Sequence, residues 1–462
     1  MSVVDRPTRY QHRRRSPIRQ RVERMGETLE PLFPTASESK RRRPLTAGLY
    51  LFAFVGITVV LLLRQSGVGA TNTMWAEDGQ LFYKDALSHS GASNLVRIYS
   101  GYVQLLPRLV FEAVRLVPLQ DVAFTTAVTG AALVAGLALI VFRSSAAFIR
   151  SPLLRGLLVA SMTLLPVAPG ELLDNVVNVP WWLIFASFWV LFWRPCSWSG
   201  RVVAGVVCFL AAASDPIVAL LLPIAVLGAL VSRRPSENTA TIGLLAGLFF
   251  QIAVAASSNV SSSYQLGGSG RDFLKAFGVR VGLGPVTGVR ITDNLWSVQP
   301  QLASILGVGV FGLLIGVAAA QHGRQLRLFV LVVLAESVTL FIVPVFLRGA
   351  APTLAAKPVW FSSRWQVAPE LVVLSAVLVA TNFYVRRHRR GLWLIVVVAL
   401  ALAPAWILDF RLSNPRTDGP AWGHQVALAR QECETGHPKQ VTLATSPPGW
   451  SVALPCRFVE TH

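Results

Sequence analysis

The sequence predicts an all-α integral membrane protein of about 11 transmembrane helices, amino end inside and carboxyl end outside, and three observations predict it. First, 53% of the 462 residues are hydrophobic and only 14% are charged. A soluble chain carries about 25% charged residues, so this one has too few to cover a folded surface in water. Second, apolar runs near the roughly 20 residues that cross a bilayer recur along the chain. Third, the basic residues divide unevenly between alternate connections. The same composition excludes collagen-like, disulfide-scaffold and wholly disordered classes. The repeated apolar runs favour one polytopic unit over two or three soluble domains.

In chain order, residues 1–44 hold 12 basic and 5 acidic residues, including Arg13-Arg14-Arg15 and Arg41-Arg42-Arg43, and no apolar core. They read as a disordered basic tail. The apolar run that follows is long and lacks a small-residue cleavage site, which argues against a removable signal peptide. The net charge of +19 therefore points to the anionic inner leaflet, where each basic residue is worth about 1 kcal/mol. No nucleic acid is expected as a partner.

The membrane domain is expected over 45–408, with eleven apolar segments at 45–63, 121–142, 153–168, 180–193, 202–214, 216–231, 240–257, 301–320, 327–347, 366–384 and 391–408. With the tail inside, the turns carrying Arg143, Arg150, Arg155, Arg194, Arg201, Arg233, Arg234, Arg324, Arg327, Arg386, Arg387, Arg389 and Arg390 also fall inside. Glu237 is their only acid, and the remaining positions hold 17 basic and 17 acidic residues. This is the positive-inside asymmetry, and it plays no part in choosing the segments. The long connections 64–120, 169–179, 258–300 and 348–365, with a small extracytoplasmic segment 409–462, then face outward. Any chemistry is expected there, in loops long enough to build a site. No phosphate loop of the GxxxxGK[ST] type occurs, which argues against a cytosolic nucleotide substrate. Cys196 and Cys208 lie near the inner face and in a span and stay reduced, whereas Cys433 and Cys456 share the outer segment, where a disulfide is permitted. No His/Cys cluster has zinc spacing.

Five outward features and one intramembrane acid carry candidate chemistry. Glu77-Asp78, just beyond the first span, supplies a base or a ligand for a divalent cation, since two adjacent negative charges raise one pKa; a helix cap explains the same spacing. Residues 104–117, with Arg108, Glu112 and Arg115 opposite an apolar stripe, read as an amphipathic helix on the interface. In the second outer turn Glu171, Asp174, Asn175 and Asn178 sit beside Trp181-Trp182; amides there orient hydroxyl-rich ligands, turn formation explains them equally, and the tryptophans read as a belt anchor. Ser214-Asp215-Pro216 places a lone acid at the outer edge, where it also caps the next helix. Arg364, flanked by Phe361 and Trp365, clamps a lipid phosphate or snorkels to headgroups. Glu336, about mid-span, is a functional candidate by default or a neutral acid bonded at a helix interface.

Taken together these residues resemble the GT-C superfamily of polytopic glycosyltransferases, which use sugars carried on polyprenyl phosphate or pyrophosphate. Glu77-Asp78 and the segment 104–117 match the acidic motif and interfacial helix of its first outer loop. Arg364-Trp365-Gln366-Val367-Ala368-Pro369 matches an Arg-aromatic-x-x-x-Pro motif, with Trp where Tyr is usual. Asn175 to Trp181 looks like the Asn-rich turn of actinobacterial members. The acids are adjacent rather than spaced as D-x-D, and Asp215 stands where small residues are common, which leaves metal use and the identity of the base open.

The resemblance implies a GT-C-like fold in a bacterial plasma membrane and an inverting transfer from a polyprenyl-phosphate-linked sugar to an envelope glycan or glycolipid acceptor. It implies Asp78 as base, tuned by Glu77 or by Glu171 and Asp174, with Arg364 and Arg108 on the departing phosphate. Asn175, Asn178 and Tyr102 fall to the sugar or acceptor, and Mg or Mn at Glu77 and Asp78 is the one cofactor in view. Two other classes compete: a transporter or lipid flippase, which would show internal repeats and polar mid-membrane residues, and a non-catalytic envelope-assembly protein.

Overall fold

The computed structural model describes residues 26–34, 44–89, 91–232, 234–258, 265–320, 323–388 and 391–461. Arg13-Arg14-Arg15, Arg41-Arg42-Arg43, Arg233, Arg389 and Arg390 lie outside the described residues. A helix occupies each apolar segment: α1 Pro44–Leu63, α3 Val122–Ser144, α4 Pro152–Thr163, α5 Val179–Phe192, α6 Trp198–Ser214, α7 Leu222–Val231, α8 Thr239–Ala256, α11 Pro300–Ala320, α12 Arg324–Leu347, α14 Arg364–Arg387 and α15 Leu392–Leu408. Among the described residues six stretches are long and apolar enough to cross a bilayer: Leu119–Ala147, Pro152–Gly170, Thr239–Ala256, Pro300–Ala320, Arg324–Leu347 and Arg364–Arg387. Shorter apolar helices accompany them. The protein is a helical membrane protein.

The connections are more ordered than their composition suggests. In the first, residues 78–83 form a π turn and β1 Ile98–Tyr99 pairs antiparallel with β2 Tyr102–Val103. Helix α2, Leu105–Val114, then buries Leu106, Arg108 and Phe111 against that connection and α6. Leu109 and Ala113 remain exposed on its other face, while Arg108, expected on the wet side, is 1% exposed and faces inward. Residues 258–300, read as a loop, contain α9 Gly270–Phe277, a π turn Gly278–Leu283 and α10 Gly284–Val298, kinked at Gly288 where φ is 77°. Phe277 packs 4.5 Å from Phe311 of α11 and 5.6 Å from Phe341 of α12. Gly278, Gly282 and Gly307 let the two backbones touch, as small residues do in membrane helix pairs. Before α14 stands α13, Ala351–Ala356.

The basic tail also contains structure. Residues 26–34 include a short 3₁₀ turn at Glu30–Leu32, and Leu32 and Phe33 are buried in the bundle, with Phe33 5.5 Å from Phe192. Two apolar side chains flanking a proline-containing turn suffice to anchor it, so disorder does not hold for that stretch. At the other terminus α16 Trp422–Gly436, the hairpin β3 Gln440–Ala444 with β4 Ser451–Pro455, and α17 Cys456–Thr461 form a small unit. Cys433 and Cys456 are bonded across it. Val441, Leu443, Val452 and Leu454 alternate inward, as a one-faced hairpin requires. They share a core with Phe82, Tyr83 and Phe111 of the first connection.

Candidate functional site

A cavity of about 380 Å³ opens where the first connection, the second outer turn, the α6–α7 junction and the facing ends of α12 and α14 meet. The arginines of the short turns lie at the opposite ends of α5, α6, α12 and α14. Its apolar lining comes from Ile217, Ala219 and Leu220 before α7, Val343, Pro344 and Leu347 at the end of α12, and Trp181 and Trp365. Its polar lining comes from Glu77, Tyr102, Asn178, Asp215, Arg348 and Arg364.

The polar lining is set by local bonding. Asn175 Nδ2 donates to the carbonyls of Glu171 at 2.7 Å and Leu173 at 3.1 Å, and its Oδ1 accepts from the Asn178 amide at 3.1 Å. Asn178 Nδ2 donates to the Glu171 carbonyl at 2.8 Å. Asp174 takes the left-handed conformation, φ 56°, which aspartate tolerates better than most residues. Gly130 of α3 allows the turn to approach, since a methyl there would meet the Asn175 backbone at about 3.0 Å. Asp78 fastens this turn to the first connection: its two carboxylate oxygens accept the amides of Val176 and Val177, each at 2.9 Å.

Charged groups converge on the start of α14. Arg364 Nη1 lies 3.9 Å from Glu77 Oε1 and its Nε 3.9 Å from Glu171 Oε1, while its own amide donates to that Glu171 oxygen at 2.9 Å. Asp215 is 2% exposed and accepts the Ile217 amide at 2.9 Å, so it caps the 3₁₀ stretch before α7 and lines the cavity as well. Burial pushes its carboxyl up to about 7, against the pull of that amide and of Arg348 and Arg364. Burial also raises the Tyr102 phenol above its ordinary value, with Asp215 adding to the shift. Tyr102 therefore stays neutral and can donate a hydrogen bond.

Several expected residues are placed elsewhere. Asp78 is fully buried outside the cavity lining, its oxygens facing backbone amides; it is a staple rather than a base open to an acceptor. Its neighbour Glu77 faces the cavity instead, because one step along a helical turn rotates a side chain by about 100°. Arg108, 1% exposed, pairs with Asp85 at 3.2 Å, donates to Asn94 at 2.8 Å and covers the Phe82 ring, so it holds the first connection and does not reach the cavity. Asp174 and Asn175 are buried in the turn, and Glu171 acts through Arg364. Glu336 is buried in α12, about two helical turns from Val343. Its neighbour Ser337 donates to the Pro369 carbonyl of α14 at 3.1 Å.

Glu77 and Asp78 face different partners. Among the described residues no group of three or more His, Cys, Asp or Glu gathers at metal-binding range. Asp78 is turned to amides and Glu77 to Arg364. The sequence pattern did not single out Arg348, which lines the cavity mouth; its signal is an isolated arginine following the apolar run that ends at Leu347. Tyr99, on the hairpin beside it, also lines the cavity. No family model, no curated protein and no solved structure matches the chain.

Proposed function

We propose that the chain is a multi-pass protein of a bacterial plasma membrane, crossing 11 times with its amino end inside, as the basic turns require. At its outer face it moves a sugar from a polyprenyl-phosphate carrier to an envelope glycan or glycolipid acceptor. The observation that carries this reading is one cavity lined both by apolar side chains and by carboxylate, phenol and guanidinium groups. A prenyl chain lies against the apolar side chains while its phosphate and sugar meet the polar groups, so the substrate need not leave lipid.

In the reaction the acceptor hydroxyl oxygen attacks the anomeric carbon from the face opposite the phosphate. The carbon–oxygen bond to phosphate breaks, its electron pair leaves on the polyprenyl phosphate, and the configuration inverts. Asp215 takes the hydroxyl proton; a carboxyl near 7 is matched to that transfer at neutral pH. The cavity's guanidinium groups offset the charge gained by the leaving phosphate. Tyr102 and Asn178 offer a donor and an amide to sugar hydroxyls. No step is routed through a metal ion.

The test is transfer from a radiolabelled polyprenyl-phosphate sugar pool to envelope fractions by the purified chain in nanodiscs. Transfer that the parent performs and Asp215→Asn lacks supports the reading; no transfer from any phosphoprenyl sugar ends it. A transport reading draws on one observation: Glu370 of α14 is fully buried and, among the described residues, neither of its oxygens has a hydrogen-bond partner; it lies one residue from the Ser337–Pro369 contact, and Glu336 lies one residue from its other side. Proton-coupled uptake lost in Glu336→Gln or Glu370→Gln and retained in Asp215→Asn would favour it.

A further inference from the structure

We propose that Arg348, rather than Arg364, seats the phosphate of a lipid-borne ligand in this cavity, and that Arg364 is a positioning residue. The proposal rests on the carrier reading above and decides between the two guanidinium groups that line the cavity.

Arg364 is already committed. Its Nη1 lies 3.9 Å from Glu77 and its Nε 3.9 Å from Glu171, so a phosphate approaching it meets two carboxylates first. Its backbone amide is bound to Glu171 as well. This arrangement ties the start of α14 to the Asn-rich turn and aims Glu77.

Arg348 has no such partner. Among the described residues no carboxylate reaches ion-pair range of it, and its side chain makes one hydrogen bond, from Nη2 to the carbonyl of Ser100 at 3.3 Å. It is not needed to finish α12, because its own backbone amide caps that helix on the carbonyls of Phe346 and Pro344. Arg348 is exposed and directly follows the apolar lining residues Val343, Pro344 and Leu347 of α12. A chain lying against those side chains brings its headgroup to this residue. There a phosphate replaces a neutral carbonyl with a charge-assisted bond, which is the stronger interaction. Ser100 sits at φ 55° and Gly101 at φ 91° in the turn between β1 and β2, so the contact that gives way belongs to a tight hairpin that itself lines the cavity.

The experiment measures binding of farnesyl phosphate, farnesol and inorganic phosphate to the full chain in phosphatidylcholine nanodiscs, at several salt concentrations. Arg348→Gln is expected to weaken farnesyl phosphate about tenfold or more, the loss for one charge-assisted bond. It is also expected to abolish the salt dependence and to leave farnesol and the melting temperature unchanged. Arg364→Gln is expected to keep the salt dependence while lowering turnover. The proposal is overturned if Arg348→Gln binds farnesyl phosphate like the parent, or if Arg364→Gln removes the salt dependence instead. Parent protein that binds farnesol and farnesyl phosphate equally overturns the carrier reading as well. Inorganic phosphate that competes as strongly as farnesyl phosphate overturns the lipid-borne part. Phosphatidylglycerol that does so identifies a bulk headgroup, supporting Arg348 as the seat and ending the carrier reading.

Discussion

The two ends of the helix bundle are held by the same kinds of contact in different proportion: Trp181 and Trp365 meet at the cavity, and Arg155 and Arg194 bind carbonyls at the far end, but the balance differs. Away from the cavity the helices meet through rings: Phe329 of α12 lies 4.5 Å from Phe148, 5.5 Å from Phe192 and 5.7 Å from Trp189. At the cavity end buried guanidinium groups bind backbone carbonyls. Arg280 donates to Leu354, Lys357, Pro358, Val359 and Phe361. Arg416 donates to Ala70, Thr73, Leu173 and Asp174. Arg64 joins Thr163 and Leu165 to Phe410. Ring contacts fill space and tolerate small shifts, since dispersion and burial are weakly directional. A guanidinium with five donors in a rigid fork fixes several carbonyls at once while occupying little volume. An open polar cavity needs that second device, because its loops must be held still with nothing packed into the middle.

The largest effect separates the site from both scaffolds. Asp215→Asn keeps the side-chain oxygen that caps Ile217 and removes the proposed proton acceptor. Turnover is expected to fall by about 10² to 10⁴, the usual worth of a general base, with unchanged melting temperature. Arg108→Gln, in the same connection as Glu77, provides the contrast. A comparable loss of turnover there with the fold intact would restore the expectation that Arg108 acts on substrate.

The next effect is on stability. Arg280→Met takes a donor from five carbonyls, of which those of Val359 and Pro358 keep the Gln366 side chain and the Phe361 amide. Each buried acceptor left unpaired costs about 1–3 kcal/mol. Thermal unfolding in detergent should show the variant as the least stable of the set, with residues 354–361 exchanging amide hydrogens first. A loss near that of a single surface hydrogen bond would mean that water replaces the guanidinium readily and that the cavity end is not held as described.

These contrasts also mark what was legible in the sequence. The apolar helices could be read because hydrophobic runs are strong one-dimensional signals. The helical character of 270–298 could not, because its glycines and exposed charges resemble a loop, although Ser269 and Asp272 form a capping box whose spacing is visible in the sequence. The gathering of Glu77, Asn178, Asp215 and Arg364 around one cavity agrees with placing their segments on a common face. Which of Glu77 and Asp78 faces the cavity is a matter of one residue of helix rotation, below the resolution of any pattern. The arginine staples were illegible for another reason: their partners are backbone carbonyls, which every residue possesses.

A smaller effect concerns pH. Burial pushes both Asp78 and Asp174 up to about 7, against the backbone amides around Asp78 and the charges of Arg416 and Arg64 around Asp174. The folded protein therefore holds protons that an unfolded chain, with carboxyls near 3.8, gives up. Stability from these groups is fully present below about 4 and declines as pH rises to about 7. The Phe329 cluster contains no titrating group. Hydrogen exchange should show opening near 170–178 growing easier across that window while 185–192 stays unchanged, and Asp174→Asn should reduce the slope. A uniform response at both ends would dissolve the distinction between them.

The smallest expected change tests the ring-packed end. Phe329→Leu keeps an apolar side chain in a cluster of rings, so the bundle loses ring contacts without gaining an unsatisfied group. Neighbours such as Phe148 and Phe192 can close part of the gap, since neither is tied by a polar side-chain bond. The cost should be about 1 kcal/mol, as for other apolar exchanges of moderate size, and it should fall on unfolding rather than on turnover. Transfer by this variant should match the parent, because the cavity loops are held by Arg64, Arg280 and Arg416 and by the local Trp181–Trp365 contact, not by the Phe329 cluster. If turnover falls along with stability, the rings also set the spacing of α12 and α14 at the cavity, and the two ends work as one mechanical unit.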